Sequence, residues 1–95
     1  MAGIGPLETD EIYVGVSQQG EEYVIPIQTK GKKDPIGIVQ IEPDFSLCNS
    51  KFPALVCRPI AAQLIEDDLV ALIEFERINN QISIRDERHY WIVET

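Results

Sequence analysis

Gln28, Lys30 and an acidic residue at Asp10 or Glu11 are the side chains whose types and spacing could do chemistry in this chain. Gln28 and Lys30 stand two residues apart at the polar end of the apolar run Val24-Ile25-Pro26-Ile27, so on a strand they project from the same face. Gly31, Lys32 and Lys33 follow at once, before a helix start at Asp34-Pro35. Three lysines within four positions, at the edge of a rigid sheet, leave room for a focused contact to a phosphate-bearing ligand.

The elements that must position these groups can be read from periodicity. Glu11 to Ser17 alternates Ile12, Val14 and Val16 with Tyr13 and Gly15, a strand pattern. Gln18-Gln19-Gly20 is a short turn, and Glu22 to Lys30 is the return strand of a hairpin. Pairing Ser17 with Glu21 or with Glu22 sets Asp10 or Glu11 opposite Gln28, and the register is left open between the two. Asp34 as N-cap and Pro35 at the first helical position start a helix. Its apolar stripe is Ile36, Val39, Ile41, Phe45 and Leu47 to Cys48, ending near Asn49 or Phe52. Pro43 lies inside it, and an interior proline costs about 3 kcal/mol, so the helix kinks there or splits.

Ala54 to Ile60 reads as a buried strand with Pro59 at its end or on an edge. After a helix it returns parallel to its predecessor, making residues 22–60 a βαβ crossover. Glu66-Asp67-Asp68 is a solvated corner, Leu69 to Glu76 alternates as suits a strand, with a helix the alternative, and Asn79-Asn80 marks a turn. Ile82 and Ile84 continue the strand pattern, and Tyr90 to Val93 make a last short strand. Residues 1–9, with Gly3, Gly5 and Pro6, are an irregular lead. The fold class is a β-rich mixed α/β, a single domain over 1–95 with one main helix.

The totals limit the function classes. At 95 residues and 44% apolar content the chain is one small globular domain. A net charge of −8 argues against general coating of nucleic acid but leaves room for the focused lysine cluster. No run is long enough to span a bilayer and the first residues lack a secretory pattern, so a cytoplasmic location and no membrane partner are expected. Cys48 and Cys57 lack metal-ligand spacing and sit among apolar residues, which suits buried reduced thiols. His89 has no partnered nucleophile and reads as structural, and Trp91 with Tyr90 reads as core or as a dimer contact, with core favoured.

The order acid, hairpin, polar-x-Lys, helix, parallel strand resembles the core of the PD-(D/E)xK nuclease superfamily, the restriction-endonuclease-like fold. The segment from Pro26 to Glu42 looks particularly like restriction-type members, and the matched region covers roughly residues 10–60. The resemblance implies a metal-dependent endonuclease that hydrolyses DNA phosphodiester bonds. It implies Asp10 (or Glu11) and Gln28 as Mg²⁺ ligands, Lys30 orienting the attacking water, Gln40 supporting the site, and Lys32 and Lys33 contacting nucleic acid. Gln28 departs from the family pattern, which has a carboxylate there.

That departure, the absence of the family's helix ahead of the hairpin, the acidic charge and the small size carry a competing reading. In it the chain is a catalytically inactive nuclease-fold remnant that acts as a protein-interaction or dimerisation module. A small β-rich domain gains from burying a sheet edge, so a homo-oligomer is expected on this reading.

Overall fold

The computed structural model describes residues 11–34 and 36–93; Asp10 and Pro35 lie outside them. The alternating segment at its start forms β1 (Glu11–Val16), which pairs antiparallel with β2 (Glu22–Lys30). Gly20 supplies the positive φ of 89° that lets the connecting turn close, and Ser17 N–H bonds the Glu21 carbonyl at 2.8 Å. The register runs from Val16 opposite Glu22 to Glu11 opposite Ile27. Glu11 therefore stands opposite Ile27 and not opposite Gln28.

The helix α1 (Ile38–Lys51) starts later than Asp34-Pro35 suggests. Asp34 is spent in a turn, its N–H bonding the Gly31 carbonyl at 3.1 Å. Gly37 is the N-cap, and Gln40 reaches back to accept its N–H at 2.8 Å, satisfying a donor that the helix itself cannot. Pro43 neither splits the helix nor ends it. It lies on the exposed side, where the carbonyl it leaves unbonded can turn to water.

The strand expected at Ala54 to Ile60 divides into β3 (Val56–Cys57) and β4 (Ile60–Glu66), both parallel to β2. Two prolines explain the break. The Val24 carbonyl accepts from Arg58 N–H on this edge, and by the two-residue period Pro26 faces the same way without an N–H to donate. The ladder skips there, resuming with Ile27 opposite Ile60 once Pro59 is passed. As the crossover pattern required, the return strand runs parallel to β2.

A tight hairpin completes the sheet. β5 (Leu69–Ile78) and β6 (Gln81–Trp91) are joined by Asn79 and Asn80, at φ 53° and 65°. A two-residue turn with both φ positive is type I′, and asparagine tolerates that region. β6 is one continuous strand where the sequence suggested two pieces. A register shift opposite Glu74 and Phe75 leaves Arg85 as an extra residue, which breaks the simple alternation.

The strands lie in the order β1-β2-β4-β5-β6, with β3 beside β2. The result is a mixed six-stranded sheet with a single helix, among the described residues, on one face. Ile41 and Phe45 of α1 pack on Ala61, Ala71, Ile73 and Phe75. The small Ala61 and Ala71 side chains give the helix room to approach the sheet. Trp91 is not in this core. It is 61% exposed at the end of β6, and Tyr90 is exposed on the opposite face. On that same face Arg58 and Arg85 both pair with Glu74, at 3.5 and 3.2 Å. No helix of the described residues is long and apolar enough to cross a membrane.

Candidate functional site

The site begins with the period of β2. Val24, Pro26 and Gln28 all point toward α1 and are buried, and Lys30, next on that face, is half-buried where the strand emerges. Gln28 and Lys30 thus share a face, as their spacing requires, while Thr29 between them is exposed.

The surroundings of Gln28 differ from those of a side chain presented to solvent. Its Nε2 donates to the Gln40 main-chain carbonyl at 2.8 Å and to Asp44 Oδ2 at 2.9 Å. Both Gln28 and Asp44 are 1% exposed. The two acceptors fix the amide, because turning it over would set its oxygen against two other oxygens. Its Oε1 is buried and has no hydrogen-bond partner among the described residues. Gln40 contributes through its main chain, since its side chain is turned to the helix N-terminus.

Lys30 stands opposite Gln63 in the parallel β2–β4 ladder. Gln63 uses both ends of its amide to hold the loop that follows Lys30. Its Nε2 donates to the Gly31 carbonyl at 2.7 Å, and its Oε1 accepts from Ile36 N–H at 3.0 Å. A Cβ on Gly31 would meet Asp34 Oδ2 at 3.9 Å, ordinary contact, so packing does not demand glycine there.

The remaining candidates are dispersed. Lys32 pairs with Asp67 at 2.6 Å in an exposed bridge that raises the lysine pKa and lowers that of the carboxyl. Lys33 is exposed. Glu11 faces away from Gln28, because the two-residue period turns it to the other side of the sheet. There it accepts from the Tyr13 hydroxyl at 2.7 Å, which pushes the phenol pKa up. His89 bonds Glu87 at 2.8 Å on the surface, apart from any of these groups. Asp10 lies outside the described residues.

Two residues that matter most here were not read from the sequence. Asp44 sits with Ile41, Phe45 and Cys48 at the spacing of one helical face, a carboxylate inside an apolar stripe. Gln63 follows Ala61 on the buried face of β4. In both cases the signal was a polar residue in phase with buried apolar ones.

The described residues by themselves do not make a Mg²⁺ site. Mg²⁺ takes six oxygens in near-octahedral order and keeps several waters. Here one neutral oxygen is sealed from solvent and the neighbouring carboxylate already accepts an amide hydrogen. No group of three or more histidine, cysteine or carboxylate side chains gathers among the described residues. No family model, curated protein or solved structure matches the chain.

Proposed function

We propose that this chain is a restriction-endonuclease-like domain that acts on DNA phosphodiester bonds. The observation that supports it is the arrangement around β2. An antiparallel β1 precedes it, α1 crosses over, β4 returns parallel, and Gln28 and Lys30 leave one face at the strand's end. In this reading the Lys30 ammonium binds a phosphate oxygen and steadies the negative charge that grows as water attacks. Gln63, by fixing Gly31 and Ile36, keeps the loop beyond Lys30 in place, and Gly31 leaves the nucleic-acid backbone room to approach. A divalent metal would be held by Asp10 with Gln28 and would neutralise charge on the phosphate.

The test is cleavage of labelled duplex, single-stranded and branched DNA by the parent and by Lys30→Ala, with Mg²⁺, with Mn²⁺ and with chelator. Metal-dependent cutting by the parent that disappears in Lys30→Ala supports the reading. Equal cutting by both proteins refutes the role given to Lys30.

One observation favours a second reading, an inactive relative that serves as a dimerisation module. The Gln28 amide is committed to Gln40 and Asp44, which suits a side chain that ties β2 to α1 better than one that holds a reacting group. Tyr13, Leu72 and Tyr90, on the sheet face away from α1, are all at least 40% exposed, leaving apolar surface for a second copy. Absence of cleavage with every substrate and metal, together with a dimer in sedimentation, would select this reading.

A further inference from the structure

Two cysteine side chains lie on one cavity away from Lys30. Cys48, in the C-terminal half of α1, and Cys57, on β3, line one cavity of about 200 Å³ with Phe45, Phe52, Arg58 and Arg77. The helix and the strand that carry them pack against each other. Cys48 is 1% exposed and Cys57 is half-buried, so the cavity reaches Cys57 first.

We propose that Cys48 and Cys57 are an oxidative modification site that a peroxide closes into an intramolecular disulfide, tying α1 to β3. Both anchors are fixed by structure. Cys57 is held in register with Val24 of β2, and the Cys48 carbonyl accepts from Phe52 N–H at 2.7 Å in the last turn of the helix. Two sulfurs that share one small cavity can meet by rotation of their side chains, and the bond closes the short segment 48–57.

The chemistry balances with hydrogen peroxide as oxidant. The Cys57 sulfur, after losing its proton, attacks one peroxide oxygen, the O–O bond breaks, and hydroxide leaves. Cys57 is then a sulfenic acid. The Cys48 sulfur attacks the Cys57 sulfur, the S–O bond breaks, and the second oxygen departs as water. Two thiols lose two electrons and two protons, and one peroxide becomes two waters. Burial pushes both thiol pKa values up, Cys57 furthest; Asp44 acts in the same direction and Arg77 opposes it at Cys57. Such surroundings slow the first attack, which needs a thiolate. They do not penalise the product, because a disulfide is uncharged and apolar.

The experiment treats the reduced full-length chain with hydrogen peroxide, then denatures it and counts thiols by alkylation and mass spectrometry. The expected result is joint loss of both thiols with a mass lower by two hydrogens in a monomer, reversed by dithiothreitol, and a higher urea midpoint for the oxidised protein. Cys48→Ala should stop at a Cys57 sulfenic acid that dimedone traps. Retention of both thiols by the parent, a disulfide between chains, or separate oxidation of each cysteine to sulfinic acid would overturn the proposal. The parent alone decides between these outcomes, so it holds even where the variant does not fold.

Discussion

Gln28 and Asp44 meet amide to carboxylate at 2.9 Å between β2 and α1, each 1% exposed. A buried carboxylate is costly unless it is hydrogen-bonded, and a buried amide is costly unless its donors are used. Each answers the other's requirement. The pair fixes how α1 sits over the strand from which Lys30 emerges.

Substituting Gln28→Glu, which puts a carboxylate where the PD-(D/E)xK pattern has one, is expected to destabilise the fold by about 3 kcal/mol or more in urea unfolding. The new carboxylate would face the Asp44 oxygen and the Gln40 carbonyl with no hydrogen to share. The sign with pH follows from the same contact. The new carboxyl is neutral in the fold at a higher pH than in the unfolded chain, so the loss is smallest in acid and grows as pH rises toward neutrality. A variant as stable as the parent at neutral pH would show that the pair is not what holds this interface.

Asp44 is tested from the other side. Asp44→Ala leaves a buried amide donor short of an acceptor and should cost about 1–3 kcal/mol. Asp44→Asn keeps an oxygen to accept from Gln28 and should cost less. Equal losses in both variants would mean that the charge, and not the hydrogen bond, stabilises the contact.

On the nuclease reading, Lys30→Ala should lower DNA cleavage by about 100- to 1,000-fold, the effect of losing one well-placed charge from a reacting phosphate. Any shift of its urea midpoint reports the structural part of the effect. Single-turnover cleavage beside urea unfolding separates the two quantities.

Gln63→Ala should expose the Ile36 N–H, which the Gln63 oxygen now protects, and free the Gly31 carbonyl. Hydrogen exchange at Ile36 is expected to quicken well before global unfolding. Unchanged exchange at Ile36 would show that the loop is held by other contacts.

Asp67→Asn releases Lys32 from its exposed ion pair. On the DNA-binding reading, affinity should rise and the plot of log affinity against log salt should steepen by about 0.9, as for one added phosphate contact. Lys32→Ala in the same background should return the slope to that of the parent.

Much of the architecture was legible in the sequence because it depends on local periods. The alternation of Ile12, Val14 and Val16, the turn at Gly20 and the turn at Asn79-Asn80 announce two hairpins, and the crossover length dictates a parallel return. The shared face of Gln28 and Lys30 follows from spacing alone. What spacing could not supply was the partner each side chain meets. Whether Gln28 presents its amide to solvent or spends it on Asp44 depends on a contact across 16 residues, made only once α1 lies on β2. The break between β3 and β4 likewise required Pro26 and Pro59 to face each other, and the exposure of Trp91 required the end of β6 to extend beyond what α1 covers. Chain-local physics set the elements and their faces. Packing between distant elements decided which polar groups are bound into the interior and which are left for chemistry.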